Sequence, residues 1–122
     1  MWHDAWDGFP GDWHSTFVHD IKRDFDRPES AVVGTEFVGT SISGNGDGEV
    51  YGPYYGPMIK FNPHIRFFDG DRRGYIRCRV EAAQMRAELR IVSTVSRPGA
   101  PESAPHAYRR RNAGCRGWPL ST

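Results

Sequence analysis

The residues of this 122-residue chain best suited to chemistry stand at Gly11-Asp12-Trp13-His14-Ser15. A short G-D-x-H turn leading into a helix can aim one carboxylate and one imidazole at the same point. Oxygen and nitrogen donors of that kind suit Fe, Mn or Zn, and the carboxylate also serves Ca. The pattern is short, and Asp12 has a second reading as the cap of the helix that follows.

Other polar residues carry a functional and a bland reading side by side. His64, in Asn62-Pro63-His64-Ile65, could face a phosphate or a metal, although a loop histidine held by neighbouring backbone is the commoner outcome. His19 and Asp20 fall on the polar side of a predicted helix, which favours solvent. His3, Asp4 and Asp7 look ligand-like, but a chain end seldom builds a site without support. The Arg72-Arg73 pair and the Arg77/Arg79 strand face could meet phosphate, with a solvated strand face as the ordinary alternative. Arg109-Arg110-Arg111 beside Tyr108 could touch nucleic acid. A solvated basic tail is the commoner reading there, and no nucleic-acid partner is expected. Cys78 and Cys115 show no C-x-x-C and no zinc spacing, so two isolated thiols are the simpler reading and a disulfide the alternative.

The elements that must position these residues read as α+β. Residues 15–25, STFVHDIKRDF, put Phe17, Val18, Ile21 and Phe25 on one helical face, with Ser15 as N-cap and Pro28 as exit. Residues 31–42, AVVGTEFVGTSI, are β-branched and aromatic and predict a buried strand. The stretch 43–57, SGNGDGEVYGPYYGP, holds seven Gly or Pro residues and predicts a long loop. Over 74–80 Ile76, Cys78 and Val80 alternate with Tyr75, Arg77 and Arg79, and over 86–95 Ala87, Leu89 and Ile91 do the same. With EAAQM between them, these two runs predict an antiparallel hairpin over about 74–95. Residues 102–122 show no periodicity and few large apolar side chains, and predict a disordered tail.

Composition bounds the possibilities. Hydrophobic residues make up 38% and charged residues 25%, with a mean hydropathy of −0.64, which is poor in apolar material for a closed domain. Sixteen Lys+Arg against fifteen Asp+Glu leave a net charge of +1, which excludes a strongly basic nucleic-acid binder. No run approaches the roughly 18 apolar residues of a membrane span, so no membrane partner is expected. No charged-then-apolar signal segment directs export.

Taken together, several blocks carry a resemblance. GDWHSTFVHDIKRDFDRP, then GTEFVGTSISGNG, then NPHIRFFDGDRRGYIRCRV, then a hairpin ending in RIVSTVSRPGAP, are similar in order and spacing to the C-terminal part of the PhoD-like alkaline phosphatases. These are the alkaline phosphatase D branch of the calcineurin-like metallophosphatases. The resemblance runs from about Gly11 to Pro101, and DAWDGFP also resembles a family segment, D-x-W-D-G-Y-P, found upstream of the G-D-x-H turn.

The resemblance implies a piece of a β-sandwich flanked by helices, from a phosphomonoesterase and phosphodiesterase holding iron and calcium. For an intact relative only, it implies a phosphate-ester substrate and, since family members are usually exported, an extracytoplasmic location; the location of this chain is not read from its sequence. Carried over by position, Asp12 and His14 match late metal ligands of the family, and the 43–57 loop would lie near the mouth of the site. The sequence also departs from the family. Pro10 runs directly into Gly11, where the family places a helix and a buried strand, and the early metal-binding motifs are missing. On this reading residues 1–101 are the C-terminal part of a PhoD-like domain with an internal deletion near 10/11, inactive alone for want of metal ligands. The alternative is a small β-rich, non-catalytic binding or structural module.

Overall fold

The computed structural model of the chain describes residues 6–8, 13–47, 51–82 and 84–111. These stretches form two sheets, the first of them rich in β-branched and aromatic residues. The first contains β1 (Trp6–Gly8), β2 (Thr16–Lys22), β3 (Val32–Val38) and β4 (Ile65–Asp69), in the order β1-β3-β2-β4. β1 runs parallel to β3, and the other pairs are antiparallel. The second contains β5 (Arg73–Val80), β6 (Gln84–Val92) and β7 (Glu102–Arg111), antiparallel and in chain order. Between β3 and β4 lie the short helix α1 (Tyr51–Tyr55) and a 3-10 stretch, Gly56–Phe61.

The sheets share one core. In register, Val18 stands between Phe37 on β3 and Phe67 on β4, which puts all three on one face. Along β6, Met85, Ala87, Leu89 and Ile91 alternate inward. Val18, Phe37, Met85, Ala87, Leu89 and Tyr108 close on one another, with Phe67 and Ile76 against them. The opposite face of the hairpin carries charge: Arg77 donates to Glu88 at 2.5 Å, and Arg90 and the Tyr75 hydroxyl donate to Glu102. These bonds hold the Glu88 and Glu102 carboxyls below the usual carboxylate range.

The partial sandwich, the strand over 31–42 and the hairpin over 74–95 are present as expected, the latter two as β3 and β5–β6. The helix over 15–25 is not; Thr16–Lys22 is β2, and the helix is at 51–55. Phe17, Val18 and Ile21 satisfy a helical spacing, but two neighbouring strands supply ladder partners that a lone three-turn helix lacks. Thr16, Val18 and Ile21 are also β-branched, which favours the extended form.

The unstructured tail is corrected over 102–111 as well. There β7 pairs with β6, Ala87 opposite Tyr108 and Leu89 opposite His106. Tyr108 fills the space between the sheets beside Phe37, at 6.0 Å between rings, and His106 stacks on Phe67 at 4.5 Å. The register slips between Leu89 and Ile91, opposite Ala104 and Pro105, where a bulge accommodates a residue that cannot donate to the ladder. Residues 112–122, including Cys115, lie outside the described residues.

Candidate functional site

His14 stands in the turn that enters β2, at φ 54°, a left-handed conformation that costs a non-glycine residue on the order of 1 kcal/mol. Its carbonyl accepts a hydrogen bond from Arg73 Nη1 at the start of β5. Its imidazole rests on Gly44: a Cβ at that glycine would lie 3.1 Å from Cε1 and 3.5 Å from Nε2. The absence of a side chain at Gly44 is what lets the loop floor the ring.

That loop is shaped by its own sequence. Asn45 and Gly46 both take φ 60°, Ser41 Oγ donates to the Gly44 carbonyl at 2.9 Å, and Gly46 N donates to the Ser43 carbonyl at 3.1 Å. Arg73 grips it from one side, Nε donating to the Gly46 carbonyl at 2.7 Å and Nη1 to Thr40 Oγ1 at 3.2 Å. Asp47 grips the turn after β6. Thr94 Oγ1 and Ser96 Oγ each donate to it at 2.6 Å, and Val95 N at 2.8 Å. The Ser96 bond first, then those of Thr94 and Val95, hold its carboxyl down at about 2.

Asp12, His3 and Asp4 lie outside the described residues, so of the Asp12–His14 pair the structure places His14. His19 and Asp20 are not solvated. They sit on β2, with His19 Nδ1 against Glu36 Oε2 at 2.6 Å across the β2–β3 register and Asp20 facing Arg66 at 3.7 Å. His64 packs between Phe25 and His19, and its carbonyl accepts from Asp20 N at 2.8 Å. Burial first, and then the nearby His19, push its imidazole below the ordinary histidine range. The adjacent arginines part company. Arg72 pairs with Asp69 at 2.6 Å beside an open depression formed with Gly52 and Pro53, whereas Arg73 is 1% exposed. Arg77 and Arg79 are spent on Glu88 and Glu81.

Sequence reasoning missed Gly44, Asp47 and the individual role of Arg73. Gly44 and Asp47 were visible only as part of a glycine-rich run, and nothing in the dipeptide Arg72-Arg73 says which member turns inward.

Among the described residues no three His, Cys, Asp or Glu side chains gather to hold a metal. A single placed imidazole does not fit a closed metal centre, which takes three or more protein ligands. The described residues therefore do not by themselves accommodate iron or calcium.

A family profile described as PhoD-like phosphatase matches residues 3–89. Alkaline phosphatase D of Bacillus subtilis (strain 168) is 34% identical over 137 residues, taking in 93% of this chain and 23% of that protein. A solved structure of PhoD superimposes with a TM-score of 0.74 at 31% identity, covering 91% of this chain and 23% of its own. The chain thus spans about a quarter of the length of the relatives it matches.

Proposed function

Since the chain belongs to the family of PhoD-like phosphatases, we propose that it is a portion, from the C-terminal region, of a metal-dependent hydrolase of phosphate mono- and diesters. The observation that carries this reading is the match over 93% of the chain to only 23% of an alkaline phosphatase D. Asp12 and His14 are the ligands this portion contributes to a centre that residues outside it complete, with iron and calcium as the metals. The alignment of 137 residues is longer than the 122-residue chain, so the relative has stretches with no counterpart here. That supports an internal deletion, which the reading places near 10/11.

One imidazole and one carboxylate hold a metal weakly without outer-shell support, so the chain alone is inactive. The purified chain, given iron and calcium, is expected to leave p-nitrophenyl phosphate and bis-p-nitrophenyl phosphate at the blank rate. Turnover that disappears in Asp12→Ala would overturn the claim of an incomplete site.

A second reading, a β-rich binding or structural module, is favoured by one observation: both sheets contribute to a shared core, so the chain has the means to fold unaided. It predicts a cooperative thermal transition and dispersed amide signals.

A further inference from the structure

Arg73 is 1% exposed and heads the fully buried large side chains. A guanidinium taken out of water is normally held by a carboxylate, because burying an unpaired charge is costly. Among the described residues its hydrogen bonds go to three neutral oxygens: the carbonyls of His14 and Gly46 and the Thr40 hydroxyl. Nη2 is buried with no hydrogen-bond partner among them. Asp47 is the carboxylate next in line, but its oxygens are taken by Thr94, Ser96 and Val95.

The three acceptors come from segments 27 to 59 residues away in sequence. One is the carbonyl of His14 itself. Another belongs to Gly46, two residues beyond the glycine that floors the ring. A flat fork with separated donors can span such acceptors, and a lysine ammonium cannot.

We propose that Arg73 is the positioning residue of His14: it holds the left-handed His14 turn and the Gly44 seat in one register, so that the imidazole has a fixed direction. Its functional meaning rests on the reading of His14 as a metal ligand; the geometric claim stands on the hydrogen bonds above.

The test uses the full chain labelled with carbon-13, following the histidine Cε1–Hε1 signals, with that of His14 assigned through His14→Gln. Without metal, Arg73→Lys is expected to displace the His14 signal and leave unmoved that of His106, which lies on β7 against Phe67. An unmoved His14 signal, or equal displacement of all the histidines in a folded chain, overturns the proposal. If Arg73→Lys does not fold, Thr40→Val removes one of the acceptors instead, and an unmoved His14 signal there overturns it equally. A separate titration with MnCl2 tests the ligand reading. Selective broadening of His14 in the wild-type chain is expected, with affinity falling about 10–100-fold in the arginine variant. No broadening in the wild-type chain sinks the ligand reading, while the metal-free spectra still decide the role of Arg73.

Discussion

Tyr108 lies within the stretch whose sequence reads as an unstructured tail, yet it is 8% exposed and packs in the core against Phe37. Replacing it with alanine tests that placement directly. A core aromatic buries roughly 150–250 Å², which at about 25 cal/mol/Å² corresponds to roughly 4–6 kcal/mol of transfer free energy. Residual structure in the denatured chain and partial collapse of the cavity bring the expected loss to about 3–5 kcal/mol. Small domains have about 5–15 kcal/mol in total, and each kcal/mol moves the melting midpoint of a chain this size by about 4 °C or more. Tyr108→Ala should therefore lower the midpoint by about 10 °C or more, or abolish the cooperative transition. Arg109→Ala, at the exposed neighbouring position, is the control and should change stability by no more than about 0.5 kcal/mol. Circular dichroism melts of the wild-type chain and both variants give the answer. If the wild-type chain melts cooperatively and Tyr108→Ala melts within a degree or two of it, Tyr108 is not part of the core and β7 is not part of the fold.

The remaining predictions concern the rim and the hairpin. The Asp47 carboxyl is held at about 2 in the folded chain against 3.8 as its ordinary value. Its contribution is therefore fully present above pH ~4 and is lost as the pH falls toward 2. Urea denaturation should show Asp47→Asn less stable than the wild-type chain at pH 6, with the gap narrowing as the pH falls through 2; a gap of unchanged size at pH 2 refutes the assignment. Gly74→Ala would put a Cβ 1.9 Å from the Arg90 carbonyl oxygen, backbone against backbone, so β5 and β6 must separate and the cooperative melt should be lost. Gly52→Ala would meet Asp71 Oδ1 at 2.3 Å, the movable end of a side chain, and should shift stability by no more than about 0.5 kcal/mol.

Legibility in the sequence followed the physics of each segment. The β5–β6 hairpin was readable because strict alternation over Ile76, Cys78 and Val80 and over Ala87, Leu89 and Ile91 has no helical counterpart. β2 was misread because Phe17, Val18 and Ile21 satisfy both periods over a short run, and the deciding factor, strands on both sides, is not local. β7 was missed because its inward set among the described side chains is only His106 and Tyr108, with Pro105 just before them and arginines beyond. The G-D-x-H turn was readable as chemistry, but the groups that orient His14 were not. Arg73 follows His14 by 59 residues, and its burial depends on which way the first residue of β5 turns.

The fragment and module readings part on what the fold leaves uncovered. The inner face is closed by two sheets, which supplies a core from a chain only 38% hydrophobic. The opposite side of the first sheet is covered more thinly. Phe17, Phe68 and Tyr55 pack there in a chain of rings, while Tyr54, Met58 and Phe61 on the α1 and 3-10 segment are 68%, 52% and 74% exposed. A self-contained module seldom leaves that many large apolar side chains together at its surface. A portion spanning 23% of a phosphatase would do so wherever the remainder of the domain once lay. Around His14 the buried Arg73 guanidinium and the Gly44 seat act through directional contacts that fail individually. The core should therefore tolerate modest apolar substitutions that the rim around His14 does not.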